Sequence, residues 1–382
     1  MSENNGLNYL PAFDRPFSQR IKEGWDKFSQ GEEKLREMIK SQESGDDITA
    51  YCQKLLGSTF SEVYFELGYN GEKYELILAP EKEKYMLYLY EAFKRQAPQN
   101  ILEHWNIILG RNYSASCNLG FHGKTVSPKD ISIKIKKEEN SKSCNIVGFC
   151  EKLVPVLKDD RNEAFWFFDM LLDMTVGEIV NMRYIETIDM TDKPFADSDN
   201  AIPLEKLPEA MEEMFGDKEG WNSVESYLEC YNGYRMEPND NPEDFIPRDD
   251  IYVGFSSMPE ILNCYYNKDN YYIEKAIKDG APIGFIFYPI DQFIEEADRK
   301  RSDVILDFRD ELEQYINEKT NGSACRIIGG ATGIYCSYLD FIAWDLKAVL
   351  DTAKEFFEDK KLVEWADFQI YSMESESVNI YE

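Results

Sequence analysis

The spacing of apolar residues predicts a chain built from both helices and strands. Near the amino end, apolar residues recur every three or four positions between Lys and Glu, which predicts an amphipathic helix over residues 17–44. Alternating apolar residues on either side of Asn70-Gly71 predict a β-hairpin, because this pair is favoured in type I′ turns. Residues 164–180 are unusually apolar and predict a central core helix.

The second half of the chain shows the same mixture of elements. An apolar strand is predicted over 283–288, followed by a long helix that Asp291 caps and that ends near Thr320. Two further strands, 326–330 and 335–344, flank a glycine-rich turn. Because short turns join several strands, the pattern favours an α+β fold with largely antiparallel sheets over a doubly wound parallel fold.

The length of the chain predicts more than one domain. At 382 residues it exceeds a usual domain of about 100–200 residues. Residues 192–200 are polar, contain Pro194 and show no periodicity, which places a boundary there. We therefore expect an N-terminal helical segment over 1–45 and two α+β domains over 46–192 and 205–382.

The charge of the chain restricts its partners. The sequence contains 72 Asp and Glu against 42 Lys and Arg, a formal net charge of −30. Residues 159–250 alone hold 25 acidic and 7 basic residues. Such a chain repels phosphate backbones and anionic membranes, so nucleic-acid and membrane binding are disfavoured, whereas a basic protein would be attracted. The alternative is that the acidity only maintains solubility.

The cysteine and histidine content argues against a disulfide framework and a zinc site. The eight cysteines form no CxxC pair and lie among apolar neighbours, so we expect reduced core thiols. The two histidines, His104 and His122, match no zinc-ligand spacing, and the spacing of Cys117 and His122 does not support a catalytic dyad. No metal or cofactor is expected. Neither a signal peptide nor a long apolar segment is present in the sequence, which predicts a cytoplasmic protein of undetermined oligomeric state.

The candidate binding residues follow from glycine, aromatic and acidic positions. A glycine cluster after an apolar strand can present backbone N–H groups to an anion, although a hairpin turn is the favoured interpretation. The cluster contains Gly329, Gly330, Thr332 and Gly333. Two further candidates, Tyr338 and Asp340, follow it, and two aromatic candidates, Trp221 and Tyr231, lie in the acidic segment.

Carboxylates within apolar elements allow two interpretations. Asp340 lies between Leu339 and Phe341, and is either a buried carboxylate or a solvent-facing or capping residue, the second being favoured. Asp169 and Asp173 share a helix face four residues apart and could bind a cation. The favoured interpretation makes them, with Glu178, a solvated stripe on a buried helix.

Three short stretches resemble those of a loose group of bacterial cytosolic proteins that have no assigned function. The stretches are residues 104–109, residues 167–178, and Gly329–Gly333 taken with 338–342. The resemblance implies a compact bacterial protein of the kind encoded beside toxin or phage-defence genes. It carries over no catalytic residue.

Two functional hypotheses follow. The first is an acidic cytosolic protein that binds a basic protein partner, as immunity or scaffold proteins do; the acidic segment and the abundant Tyr and Trp favour it. The alternative is an enzyme or a small-molecule-binding protein that uses carboxylates such as Asp340 in a cleft between the two domains. Fold class does not choose between them, and no catalytic motif is present to favour an enzyme.

Overall fold

The structure, a computed structural model, describes residues 14–114, 118–121, 123–139, 142–196, 200–216, 220–295 and 299–382. Cys117 and His122 lie outside these ranges, as do Asp217 and Glu219 of the acidic segment. No helix in the described part of the chain is long and apolar enough to cross a membrane.

The described residues form thirteen α-helices and sixteen strands. The helices are Phe17–Lys40 (α1), Gly45–Leu56 (α2), Lys84–Arg95 (α3), Gln99–Leu102 (α4), Val154–Asp159 (α5), Arg161–Val176 (α6), Glu178–Tyr184 (α7), Leu207–Phe215 (α8), Val224–Leu228 (α9), Pro259–Asn267 (α10), Tyr271–Asp279 (α11), Arg301–Thr320 (α12) and Leu346–Lys360 (α13). The strands are Phe65–Tyr69 (β1), Tyr74–Leu78 (β2), Trp105–Leu109 (β3), Leu119–Phe121 (β4), Lys124–Val126 (β5), Ser132–Lys137 (β6), Cys144–Phe149 (β7), Ile185–Met190 (β8), Ile202–Pro203 (β9), Asn232–Arg235 (β10), Ile251–Ser256 (β11), Ile283–Pro289 (β12), Cys325–Gly333 (β13), Cys336–Ala343 (β14), Ala366–Ile370 (β15) and Val378–Tyr381 (β16).

The chain divides into two compact units. Unit 1 contains the described residues up to Val63, Gln96–Ile101 and Cys230–Glu382. Unit 2 contains Tyr64–Arg95 and Leu102–Glu229. The stretch 192–204 lies within unit 2. The prediction of an N-terminal helical segment over 1–45 and two α+β domains over 46–192 and 205–382 stays a prediction.

Unit 1 is built on a seven-stranded sheet in the order β10-β11-β13-β14-β12-β15-β16, with every neighbouring pair antiparallel. The interior strand β12, between β14 and β15, is buried along nearly its whole length, which explains its continuous apolar sequence. Helices α12 and α13 pack on each other through Phe308 and Phe356, whose ring centroids are 5.1 Å apart. The core of this unit is therefore strongly aromatic.

Unit 2 contains three smaller sheets in the orders β1-β2-β3, β4-β5 and β8-β7-β6-β9. Most strand pairs are antiparallel, with β2–β3 and β7–β8 parallel. The helix α6 packs on the four-stranded sheet, and Phe168 lies so close to Gly148 that an added Cβ there would be 2.6 Å from its ring. This mixture of helices with mostly antiparallel sheets confirms the predicted α+β class, including the N-terminal helix.

Three local predictions need correction. The glycine-rich segment is not a turn: Gly329, Gly330 and Gly333 are strand residues of β13. The helix expected from Asp291 starts instead at Arg301, with Lys300 as the N-cap. The predicted hairpin is confirmed as β1 and β2, but Asn70 does not have the positive φ of a type I′ turn. Its side-chain oxygen instead accepts hydrogen bonds from the N–H groups of Glu72 and Lys73.

The described cysteines are free thiols, and five of the seven are buried. Burial raises the pKa of Cys52, Cys144 and Cys325 to about 12. Since the thiolate is the reactive form, we expect these buried thiols to react with Ellman's reagent only after denaturation, when all eight cysteines should titrate. With five of the eight thiols buried, rapid reaction of more than three thiols in the native protein would contradict this expectation. Reaction of fewer than eight after denaturation without reductant would contradict it too.

Candidate functional site

One face of the unit 1 sheet carries two rows of side chains that pair in register across neighbouring strands. Residues paired in register, and residues two apart on one strand, point to the same face. The first row consists of Tyr338, Phe287, Asp367 and Asn379. The second row consists of Asp340, Phe285 and Gln369. The buried acid Asp340 and the rings of Tyr338, Phe287 and Phe285 therefore share one face of the sheet with Asp367 and Asn379, which lie on the two outermost strands of that side.

Arg248, in the proline-containing loop before β11, contacts these two rows at their buried end, at Asp340. Its side chain is fully buried, and its Nη1 donates to Oδ1 of Asp340 over 2.6 Å. Its Nη2 donates to the hydroxyl of Tyr234 over 2.9 Å, and its guanidinium carbon lies 4.6 Å from the ring centroid of Tyr371. Asp340 is itself 0% exposed, so the solvent-facing or capping interpretation is wrong.

The backbone at Arg248 is held in an uncommon conformation. Its φ is 75°, in the left-handed region that costs a non-glycine residue free energy. The N–H of Arg248 donates to the hydroxyl of Tyr338 over 3.0 Å, and its carbonyl accepts from the hydroxyl of Tyr266 over 2.9 Å. The carbonyl of Pro247 accepts from the hydroxyl of Tyr265 over 2.7 Å. These bonds fix the loop on the sheet.

Asp250 explains the glycine at the end of β13. Its buried carboxylate accepts from the backbone N–H groups of Tyr335, over 2.8 Å, and Cys336, over 3.0 Å, and from the hydroxyl of Tyr338. A Cβ at Gly333 would lie 2.1 Å from this carboxylate. The anion beside the glycine cluster is therefore the protein's own carboxylate, which closes the turn between β13 and β14.

An open groove of about 620 Å³ lies where the loop meets the outer strands β15 and β16. Aromatic and proline side chains form one part of its lining, namely Phe245, Pro247, Phe287 and Trp365. Trp365 packs edge-on against Phe287, with centroids 5.6 Å apart and planes at 82°.

The rest of the groove lining is acidic or polar. It consists of Glu364, Asp367, Ser377, Asn379 and Glu382, so the nine lining residues include three carboxylates and no Lys or Arg. Burial raises the pKa of Asp367; a hydrogen bond from Asn379 opposes this, and Glu382 raises the pKa further. The groove thus holds more negative charge than its own lining neutralises.

The structure brings together only part of the candidate set from the sequence. Gly329 pairs in register with Asp340, and Gly330 with Leu339. Gly333 lies instead against Asp250, whose carboxylate accepts from the hydroxyl of Tyr338. Thr332, next to Gly333 on β13, is half-buried. Tyr231 is 41% exposed and its hydroxyl donates to the carbonyl of Ile327 over 3.2 Å.

Trp221 belongs to the core of unit 2, where its ring is 5.7 Å from that of Tyr184. Arg248 and Trp365 were not among the residues predicted from the sequence. Arg248 lies in a loop rich in proline and charged residues, a composition that predicts an exposed loop. Nothing in the neighbouring sequence therefore predicts that its side chain is buried.

Unit 2 contains a second group of buried charges. Asp173 is 2% exposed and Glu178 is 0% exposed, so the interpretation of these residues as a solvated stripe is wrong. Glu178 accepts from the backbone N–H groups of Glu81, over 2.9 Å, and Arg111, over 3.0 Å. The Nζ of Lys82 lies 2.5 Å from Oδ1 of Asp173 and 3.2 Å from Oδ1 of Asp169.

Acid exceeds base in this network. Lys82 lies near Asp169 and Asp173. Arg111 lies near four carboxylates, those of Glu66, Glu81, Asp173 and Glu178. Two cations therefore face five carboxylates. Burial raises the pKa of Glu178 to about 7, and the charge of Asp173 adds to the shift. Burial raises the pKa of Asp173 as well, against the attraction of Lys82. In the part of the chain that the structure describes, no group of three or more His, Cys, Asp or Glu is placed to hold a metal ion.

Comparison with known proteins identified no relative of this chain, so a functional proposal has to rest on the geometry of the groove and of the buried charges. No protein-family model matches the chain, and neither the curated proteins nor the solved structures give a significant match.

Proposed function

We propose that this protein binds a basic segment of a partner protein and that the groove of unit 1 receives its Lys or Arg side chains. The observation that carries the proposal is the composition of the lining: three carboxylates and three aromatic rings without a basic residue. Carboxylates supply acceptors for ammonium or guanidinium groups, and aromatic faces attract the same cations.

The magnitudes favour a charged occupant over an apolar one. A hydrogen bond to a charged group contributes about 1.5–3 kcal/mol, and a cation over an aromatic ring about 0.5–2 kcal/mol. An apolar occupant would instead remove water from the three carboxylates without replacing its hydrogen bonds, which is unfavourable. The net charge of −30 adds long-range attraction for a basic protein.

The anchored loop supports the proposal because it prearranges one wall of the groove. Phe245 and Pro247 precede Arg248, whose ion pair with Asp340 and backbone hydrogen bonds fix the local chain. A wall that is already ordered loses less conformational entropy when the partner binds.

The alternative function, an enzyme or small-molecule-binding protein with a cleft between two domains, stays a hypothesis. The acidic segment 159–250 is shared between the units: its residues up to Glu229 belong to unit 2 and those from Cys230 to unit 1. The buried carboxylates of unit 2 are the feature that favours a small ligand.

A peptide titration tests the proposed function. We expect a short arginine–glycine peptide to bind the wild-type protein, and a glutamate–glycine peptide of equal length not to bind, as measured by isothermal titration calorimetry. Replacing both Glu364→Gln and Asp367→Asn should weaken binding at least about tenfold, because two charge-assisted contacts are lost. Raising the salt concentration should slow association, because screening acts over about 10 Å at 0.1 M.

The matched control removes two negative charges elsewhere on unit 1. Asp351→Asn with Glu358→Gln changes two exposed carboxylates on α13 that do not line the groove. This variant should keep affinity within about threefold, since exposed charges at a distance are screened. If both double variants lost affinity for the peptide equally, net charge alone would account for the effect. Unchanged affinity in the groove variant would show that the peptide does not bind in the groove.

A further inference from the structure

A pocket of about 290 Å³ in unit 2 lies beside the buried charges of that unit. The edge strand β8 contributes four consecutive residues, 185–188, and Tyr227 contributes an aromatic ring. Lys82, Asp169 and Asn181 complete the polar part of the lining, next to the apolar Met182. The volume is at the lower end of ligand pockets, so it suits a small molecule.

Asn181 presents an unused acceptor to this pocket. The residue is 3% exposed, and its Nδ2 donates to Oδ1 of Asp169 over 2.9 Å and to Oδ1 of Asp173 over 2.7 Å. The two carboxylates fix the orientation of the amide, because the opposite orientation would place its oxygen against them. No donor among the described residues bonds to Oδ1 of Asn181, the polar atom left for a ligand.

The other polar groups of the lining also favour a donor. Oδ1 of Asp169 is used by Lys82 and Asn181, which leaves Oδ2 as an acceptor in a side chain that is 27% exposed. Glu186 adds a second carboxylate at the exposed strand edge. The ammonium of Lys82 is paired with the carboxylates of Asp169 and Asp173, which offset its charge.

The backbone that delivers Lys82 is in a rare conformation. Glu81 and Lys82 have φ values of 50° and 66°, successive left-handed residues that are uncommon outside glycine. The bond from the N–H of Glu81 to buried Glu178 stabilises this corner. Conformations of this kind persist where the surrounding structure holds them, and they are frequent at ligand sites.

We propose that this pocket binds a small organic cation, an ammonium or guanidinium group on a short apolar stem. The cationic group would donate to Oδ1 of Asn181 and to the carboxylates of Asp169 and Glu186. The stem would contact Met182 and Tyr227. This site is separate from the groove of unit 1 and does not depend on the function proposed there.

Saturation-transfer NMR with three matched probes tests the site. Phenethylammonium should bind the wild-type protein saturably, whereas the neutral 2-phenylethanol and the anionic 3-phenylpropionate should bind at least about tenfold more weakly. Asp169→Asn should weaken binding of phenethylammonium about tenfold. Asp189→Asn, which removes an exposed carboxylate of β8 outside the pocket, should leave it unchanged.

Further variants keep the test decisive. If Asp169→Asn loses its native circular dichroism, Glu186→Gln at the exposed strand edge replaces it and should weaken binding at least threefold. Asp367→Asn in the groove of unit 1 should leave binding of phenethylammonium unchanged. No saturable binding to the wild type, equal binding of the neutral probe, or equal binding to the folded pocket variant would overturn the proposal.

Discussion

Replacing Asp340 by asparagine is expected to destabilise unit 1 by about 3–5 kcal/mol. The substitution keeps the shape of the side chain but leaves the fully buried guanidinium of Arg248 without its ion partner, and an unpaired buried charge is costly. The aromatic rings around Arg248 offset only part of this loss. Urea unfolding monitored by circular dichroism should show a lower midpoint concentration for the variant, and calorimetry should show a lower melting temperature.

The double variant Arg248→Met with Asp340→Asn separates the ion pair from simple loss of packing. Removing both charges eliminates the unpaired group, so the double variant should be more stable than either single variant. Glu311→Gln, which removes one partner of an exposed pair with Lys360, should change stability by less than about 1 kcal/mol. A stability of Asp340→Asn equal to the wild type would contradict the role given to the pair.

Stability should also depend on pH through Glu178. Its pKa is about 7 in the folded protein because of burial and the nearby Asp173, against an ordinary value of 4.5. The folded state therefore binds a proton more tightly than the unfolded state between these values. The contribution of Glu178 to the free energy of unfolding should fall by about 3 kcal/mol as pH rises from about 4.5 to 7, and stay constant above.

The variant Glu178→Gln isolates this effect because glutamine does not ionise. Below about pH 4.5 it should be less stable than the wild type by a constant amount, because the amide nitrogen of glutamine cannot accept the second backbone N–H. Between about pH 4.5 and 7 it should gain stability relative to the wild type. Glu209→Gln, at an exposed position of α8, should show the wild-type pH profile. Denaturant unfolding across this range provides the measurement; parallel profiles for wild type and Glu178→Gln would disprove the assignment.

Periodicity in the sequence was sufficient for much of the local structure. The helix from Phe17, the hairpin around Asn70-Gly71 and the apolar strand now assigned to β12 were all predictable, because burial of one face imposes a regular pattern of apolar residues. The α+β class followed from their order. The glycine cluster misled the prediction, since glycine permits a turn and equally permits close packing within a strand.

What the sequence by itself determined about this protein is its α+β class, its acidity and its apolar elements, because these depend on composition and local spacing. Only the tertiary structure decided the roles of its charged residues. Arg248 and Asp340 are 92 positions apart, and Glu178 meets Glu81 across 97. The sequence gives the residue type of an acid but not whether water or a guanidinium surrounds its carboxylate, because that environment is set by contacts between distant segments.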